Sequence, residues 1–226
     1  FVTDNDFSMP NAAYFYDDDD FDSPIRIGDF NGDGYPDLIN GKDKGGFGTE
    51  NDLWENTGDG WNYVGNNFVT EFVEQHGSVL EYTGVQLVDL NGDGYVDVLK
   101  AKEGESKKAW INNKNNDWDL NDDWELPSGV YFLENNDEDT GTRITDLNGD
   151  GLVDIYTSKQ DNTEFWLNTG SGWQSSSSTW LNVLPDNVDS SGDDEGIRIT
   201  DLNNDGLNDC IFSSSSYSRA AYINTG

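Results

Sequence analysis

A chain of 226 residues, 34% hydrophobic and 13% aromatic, has enough apolar matter to fill a core, as one sizeable domain or two small ones. Its formal net charge of −33 argues against nucleic acid and anionic membrane surfaces as partners, since both require a basic patch that displaces counterions. Cations are its natural partners, and no stretch approaches the roughly 18 apolar residues of a membrane-spanning helix.

The chain opens at Phe1 with neither an initiator methionine nor a signal peptide, so it reads as a mature chain or an excised segment. The first ordered pattern is "IRIGD" from Ile25, whose alternation of apolar and polar residues predicts a strand. It runs into "DFNGDGYPD" at Asp29, then a second short strand "DLIN", a third at "LWENTG" and a fourth at "GWNYVG". The same order returns three times. "VQLVD" precedes "DLNGDGYVD" at Asp89, followed by "DVLK", "AWINN" and "DWELP". "TRITD" precedes "DLNGDGLVD" at Asp146, followed by "DIYT", "FWLNTG" and "TWLNVLP". "IRITD" precedes "DLNNDGLND" at Asp201, followed by "DCIF" and "AYINTG". In strand one, Ile27, Leu87, Ile144 and Ile199 share a face.

The leading aspartates stand 60, 57 and 55 residues apart, a period found in propeller blades and other arrays. About four antiparallel strands per unit, turns rich in Gly, Asn, Asp and Ser, and no helical periodicity predict an all-β propeller of four blade-like repeats. As one domain over 1–226, its units are approximately 25–84, 85–141, 142–196 and 197–226, with 1–24 supplying the fourth strand of the closing blade. The last unit ends on a third strand, whereas "DFSMPNAAYFYDDDDFDSPIRIGD" at the start matches the later "DWELPSGVYFLENNDEDTGTRITD". The N-terminal strand is therefore expected to complete the last blade, within the chain or in a neighbouring chain, and so to remove an open edge. Most of the eight tryptophans fall in strands three and four, where they read as apolar filler between sheets.

Within each acidic loop, positions 1, 3, 5 and 9 supply side-chain oxygens and position 7 a main-chain carbonyl. The candidate metal ligands are thus Asp29, Asn31, Asp33, Tyr35 and Asp37; Asp89, Asn91, Asp93, Tyr95 and Asp97; Asp146, Asn148, Asp150, Leu152 and Asp154; and Asp201, Asn203, Asp205, Leu207 and Asp209. Hard oxygen donors on a flexible turn suit Ca²⁺, about four ions in all, and carboxylates crowded into one turn repel each other without a cation. An EF-hand is excluded, because position 12 holds Asn40, Lys100, Thr157 and Phe212 instead of a bidentate Glu. For a dissociation constant of about 10⁻⁴ M and roughly 2 mM free calcium, each loop contributes about 1.8 kcal/mol. Calcium at that level points to an extracellular or cell-surface location.

Other features have plainer readings. The acidic stretches Asp17 to Asp20, "ENNDED" from Glu134 and "SGDDE" from Ser191 precede strand one of a unit, which puts them on equivalent solvated loops. Arg26, Arg143 and Arg198 recur just before the loops and read as a repeated ion pair. Cys210 reads as a buried strand residue, His76 as a surface residue, and the serine runs at Ser175 to Ser178 and Ser213 to Ser216 as loop filler. There is no N-x-Ser/Thr acceptor for N-glycosylation.

The four D-x-N-x-D-G-x-x-D loops, with "NTG-x-GW" at Asn56 to Trp61 and Asn168 to Trp173, closely resemble the FG-GAP and VCBS-type repeats of calcium-binding β-propellers, integrin α-subunit heads among them. The resemblance covers nearly the whole chain and implies the same loop ligands. A lone histidine, no nucleophile elbow and no phosphate loop speak against an enzyme. The expected function is a noncatalytic, calcium-stabilised adhesion or ligand-binding module for a protein or a carbohydrate. The alternative is a structural subunit of an extracellular fibre or surface layer, joined to copies of itself by strand exchange.

Overall fold

The computed structural model describes residues 8–10, 13, 15, 24–44, 48–76, 79–159, 162–177, 186–213 and 219–225. Among them there are nineteen strands, one 3₁₀ turn and no α-helix. The chain forms two compact units, the first comprising Phe1–Val88, Gly94–Lys100 and Ala109–Asn121, the second Asp89–Asp93, Ala101–Lys108 and Asp122–Gly226.

In the first unit, β1 (Ile25–Gly28) and β2 (Asp37–Asn40) are followed by the two-residue strands β3 (Lys42–Asp43) and β4 (Thr49–Glu50), then β5 (Leu53–Asn56) and β6 (Trp61–Gly65). The sheet order β1-β2-β5-β6 is an antiparallel meander. All four residues of β2 are buried, as expected of an inner strand covered on both faces. A second sheet of order β4-β3-β7-β8 joins β3 and β4 to β7 (Val73–His76) and β8 (Val79–Tyr82), with β3 and β7 parallel. A third contains β9 (Val85–Val88), β10 (Asp97–Lys100), β11 (Lys108–Asn112) and β12 (Trp118–Leu120) in sequential order. The core of this unit gathers Phe30, Ile39, Leu53, Phe68, Phe72, Val98, Trp110 and Trp118. Phe68 meets Trp118 edge-on at 5.4 Å, so the aromatic rings act as filler, as expected.

In the second unit, β13 (Thr142–Thr145), β14 (Asp154–Lys159), β15 (Asn162–Asn168) and β16 (Trp173–Ser176) form another meander, and β17 (Ile197–Thr200), β18 (Asp209–Ser213) and β19 (Arg219–Tyr222) a three-stranded sheet. Leu147, Tyr156 and Phe165 make one core cluster and Ile197, Cys210 and Phe212 another.

Each of these meanders is built from one sequence repeat, and its first hairpin has one register throughout. Gly28 faces Asp37, Val88 faces Asp97, Thr145 faces Asp154, and Thr200 faces Asp209. Position 9 of every acidic loop therefore opens strand two, and the loop is the hairpin connection.

Strands one to three stand where the sequence places them, and the fourth needs correction. In the second repeat it is β12, not "DWELP". Asn113 N–H bonds to the Asp117 carbonyl at 3.0 Å, with Lys114 and Asn116 left-handed, so the chain reverses directly after β11. The first two residues of "DWELP" instead end the 3₁₀ turn Asp122–Trp124, which buries Trp124 edge-on against Trp173 at 5.8 Å. In the third repeat the fourth strand is β16, and "TWLNVLP" lies outside the described residues. So do most of the N-terminal stretch expected to close the last sheet, Asp17 to Asp20, and parts of both serine runs. Along strand one burial falls off: Ile25 is 4% exposed but Ile27 is 56%.

Candidate metal centre

The four acidic loops fold alike because each is a ladder of side chain to main chain hydrogen bonds. In the first, the Asp29 carboxylate accepts the N–H of Gly32 at 2.7 Å and of Gly34 at 2.8 Å. Asn31 accepts the Asp33 N–H and Asp33 the Tyr35 N–H, at 2.9 and 2.8 Å. The third and fourth loops repeat this with Asp146, Asn148, Asp150 and Leu152, and with Asp201, Asn203, Asp205 and Leu207. In the second, Asp89, Asn91 and Asp93 belong to the second unit and Tyr95 and Asp97 to the first. There Asp89 accepts from Gly92 and Asp93, and Asn91 from Asp93. These Asx turns curl the loop. Backbone N–H donors, Gly206 foremost, hold the Asp201 carboxyl below the usual range.

Position 9 has a different setting. Asp37, Asp97, Asp154 and Asp209 are at most 1% exposed. Asp37 accepts the N–H of Asn56 at 2.8 Å and of Phe30 at 3.1 Å, stapling strand three to the loop. Asp154 does the same with Asn168 and Leu147, and Asp209 with Asn224 and Leu202. Burial pushes the Asp37 carboxyl up to about 6 against those two donors, and Asp33 and Asp29 add to the rise. Burial raises Asp154 in the same way, with Asp150 and Asp146 beside it.

Three carboxylates, an amide oxygen and a chain carbonyl are all hard donors, and a carboxylate raised by burial, with two neighbouring acids adding to the rise, is what a cation would relieve. The residues fit calcium on that chemistry. Among the described residues no group of three or more His, Cys, Asp or Glu side chains is gathered on a common centre, since the ladder turns the carboxylates toward backbone N–H groups.

A residue without an assigned role in the sequence reading proves central. The strand-three asparagines Asn112, Asn168 and Asn224 each reach back one repeat, donating to the carbonyls of Phe30 (2.7 Å), Leu90 (2.8 Å) and Leu147 (2.9 Å). Their recurrence in "AWINN", "FWLNTG" and "AYINTG" was the available signal.

Two of the three arginines form the expected ion pair: Arg143 pairs with Asp139 at 3.0 Å and Arg198 with Asp194 at 2.8 Å, on equivalent hairpins made by the Leu133–Asp139 and Val188–Asp194 bridges. Arg26 lies over the Phe72 ring at 5.1 Å.

The repeats that carry this loop match the model of the FG-GAP-like repeat over residues 29–100 and 146–212, more than half of the chain. The chain belongs to the FG-GAP-like repeat family. No curated protein matches it. Among solved structures, this FG-GAP-like chain is similar to an Agrocybe aegerita lectin that specifically recognises non-reducing terminal N-acetylglucosamine, with 20% identity and a TM-score of 0.55 over 83% of this chain and 45% of the lectin chain. It is also similar to a Photorhabdus luminescens Tc holotoxin pore, with 16% identity and a TM-score of 0.53 over 88% of this chain and 9% of the toxin chain. Both likenesses concern the fold alone, and the FG-GAP-like chain spans less than half the length of either.

Proposed function

We propose that the chain is a noncatalytic, calcium-stabilised, extracellular β-propeller module that binds a carbohydrate or protein ligand. The observation that carries this reading is the fourfold return of one all-oxygen loop at one register, each time joining strands one and two of a separate sheet. Calcium would be held by positions 1, 3 and 5, the position 7 carbonyl and the position 9 carboxylate, and would neutralise their repulsion. Four ions would bring the charge from −33 to about −25, still acidic enough to need such counterions. Each repeat forms its own sheet of three or four strands, which supports the blade reading, and the first repeat carries a second sheet, β4-β3-β7-β8, besides. The carbohydrate ligand is supported by the likeness to a lectin. Neither reactive side chain present once points to catalysis, because His76 is exposed at the end of β7 and Cys210 is buried.

Two measurements test it. Thermal melting in millimolar calcium and after EGTA should show a sharp fall on chelation, and a melting point indifferent to EGTA would sink the calcium assignment. A glycan array that includes N-acetylglucosamine-terminated glycans should show calcium-dependent retention. Retention of no glycan would remove the carbohydrate and leave a protein as the ligand.

A further inference from the structure

Residue seven of the third and fourth loops takes part in two loops at once. Its N–H bonds to position five of its own loop, Leu152 to Asp150 and Leu207 to Asp205. Its side chain meanwhile lies on the position-four glycine of the preceding loop. A Cβ on Gly92 would stand 2.7 Å from Leu152 Cδ2, one on Gly149 2.3 Å from Leu207 Cδ2, and in the first unit one on Gly32 2.3 Å from the Tyr95 ring. The glycine seats the next repeat's wedge, so neither loop can shift without the other yielding.

A second link runs through the interior. In the second unit Asn168 donates its side-chain amide to the Leu90 carbonyl and its N–H to Asp154. Asp154 also accepts from the Leu147 N–H, and the Leu147 carbonyl accepts from the Asn224 side chain. The Asn224 N–H donates to Asp209, which accepts from the Leu202 N–H as well. This chain of hydrogen bonds joins the second, third and fourth loops through position 9, itself a candidate ligand. Side-chain wedge and buried relay are contiguous, physical and repeated, which is what energetic coupling between sites requires.

Resting on the calcium reading above, we propose that consecutive loops are coupled and fill with calcium cooperatively, with Asn168 and Asn224 as positioning residues and Leu152 and Leu207 as the wedges that transmit closure. Were calcium held between positions 5 and 9 of one loop, residue seven and the strand-three asparagine, which are bonded to those carboxylates, would be fixed with them, and each bears on the loop before it. Binding at one loop thereby prepays part of the ordering at its neighbour.

The experiment is a calcium titration of the whole chain by calorimetry, with circular dichroism to verify folding, on the parent chain, on Leu152→Ala with Leu207→Ala, and on Asp150→Asn. The parent should bind with a Hill coefficient of about 2; the double variant keeps both position 7 carbonyls and the asparagine relay, so it should bind at the same stoichiometry with a coefficient below the parent's. Asp150→Asn, altered only in the third loop, should weaken calcium at the remaining loops by about fivefold or more. A coefficient of about 1 in the parent, or unchanged affinity of the other loops in Asp150→Asn, overturns the coupling while leaving calcium binding intact. Absence of any calcium binding overturns both the calcium reading and this inference. Should the leucine variant fail to fold, Asp150→Asn decides alone, because its exposed side chain carries no core contact.

Discussion

Asn112 donates its side-chain amide to the main-chain carbonyl of Phe30, 82 residues earlier, at 2.7 Å in a buried setting. The equivalent Asn56 donates to the Pro36 carbonyl of its own repeat instead. Removing the amide at Asn112 leaves a buried carbonyl unpaired, which costs about 1–3 kcal/mol. Asn112→Ala should therefore lower unfolding free energy in urea by that amount, and by more than Asn56→Ala. Equal effects at the two positions would mean that the bond between repeats adds nothing.

The repeat made strands one to three legible, because a fixed register between strand one and position 9 forces the same alternation in every copy. The loop was legible too, since its residue types and spacing are themselves the chemistry. Two things were not. Asn56, Asn112, Asn168 and Asn224 lie 19, 15, 14 and 15 residues beyond position 9, but which carbonyl an amide reaches depends on the neighbouring repeat in space. The fourth strand of the second repeat was misplaced because "DWELP" alternates like a strand, while the tight turn at Lys114 and Asn116 that decides where it starts uses no glycine. The small sheet of β3, β4, β7 and β8 was missed for a related reason: two of its strands have only two residues, too few for any periodicity.

Arg198 grips Asp194 with both nitrogens, at 2.8 and 3.2 Å, and chiefly through that bond holds the Asp194 carboxyl below its usual range. A depressed carboxyl contributes stability that is present above the ordinary carboxylate range and is lost as pH falls through the folded value. The pair is exposed, 66% for Arg198 and 50% for Asp194, so its contribution stays below about 1 kcal/mol. Asp194→Asn should cost that much at pH 7 and nothing at about pH 2, and about 1 M salt should shrink the difference. A loss that persists at the acid end would assign the role to packing.

Cys210 is 4% exposed on β18, and burial pushes its thiol up to about 11. A protonated, enclosed thiol is a poor nucleophile. At pH 8 it should react with a thiol-specific disulfide reagent only as fast as the fold opens, and at once in urea. Rapid modification of the folded chain would show that the sheet around it opens locally.

Gly149 and Gly151 are two residues apart in the third loop and both left-handed, at φ +79 and +89, but only Gly149 has something where a Cβ would go. At Gly151, with nothing within 4 Å, alanine meets backbone strain alone, about 1–2 kcal/mol. At Gly149 alanine also meets Leu207, and overpacking adds about 1–3 kcal/mol. Asn204 holds the equivalent position of the fourth loop at φ 63, which shows that this conformation admits a side chain. Gly149→Ala should thus be the more destabilising variant in urea, and Leu207→Ala placed on top of it should recover the clash while leaving the strain. If the double variant is no more stable than Gly149→Ala, the wedge contact is not what makes glycine necessary there.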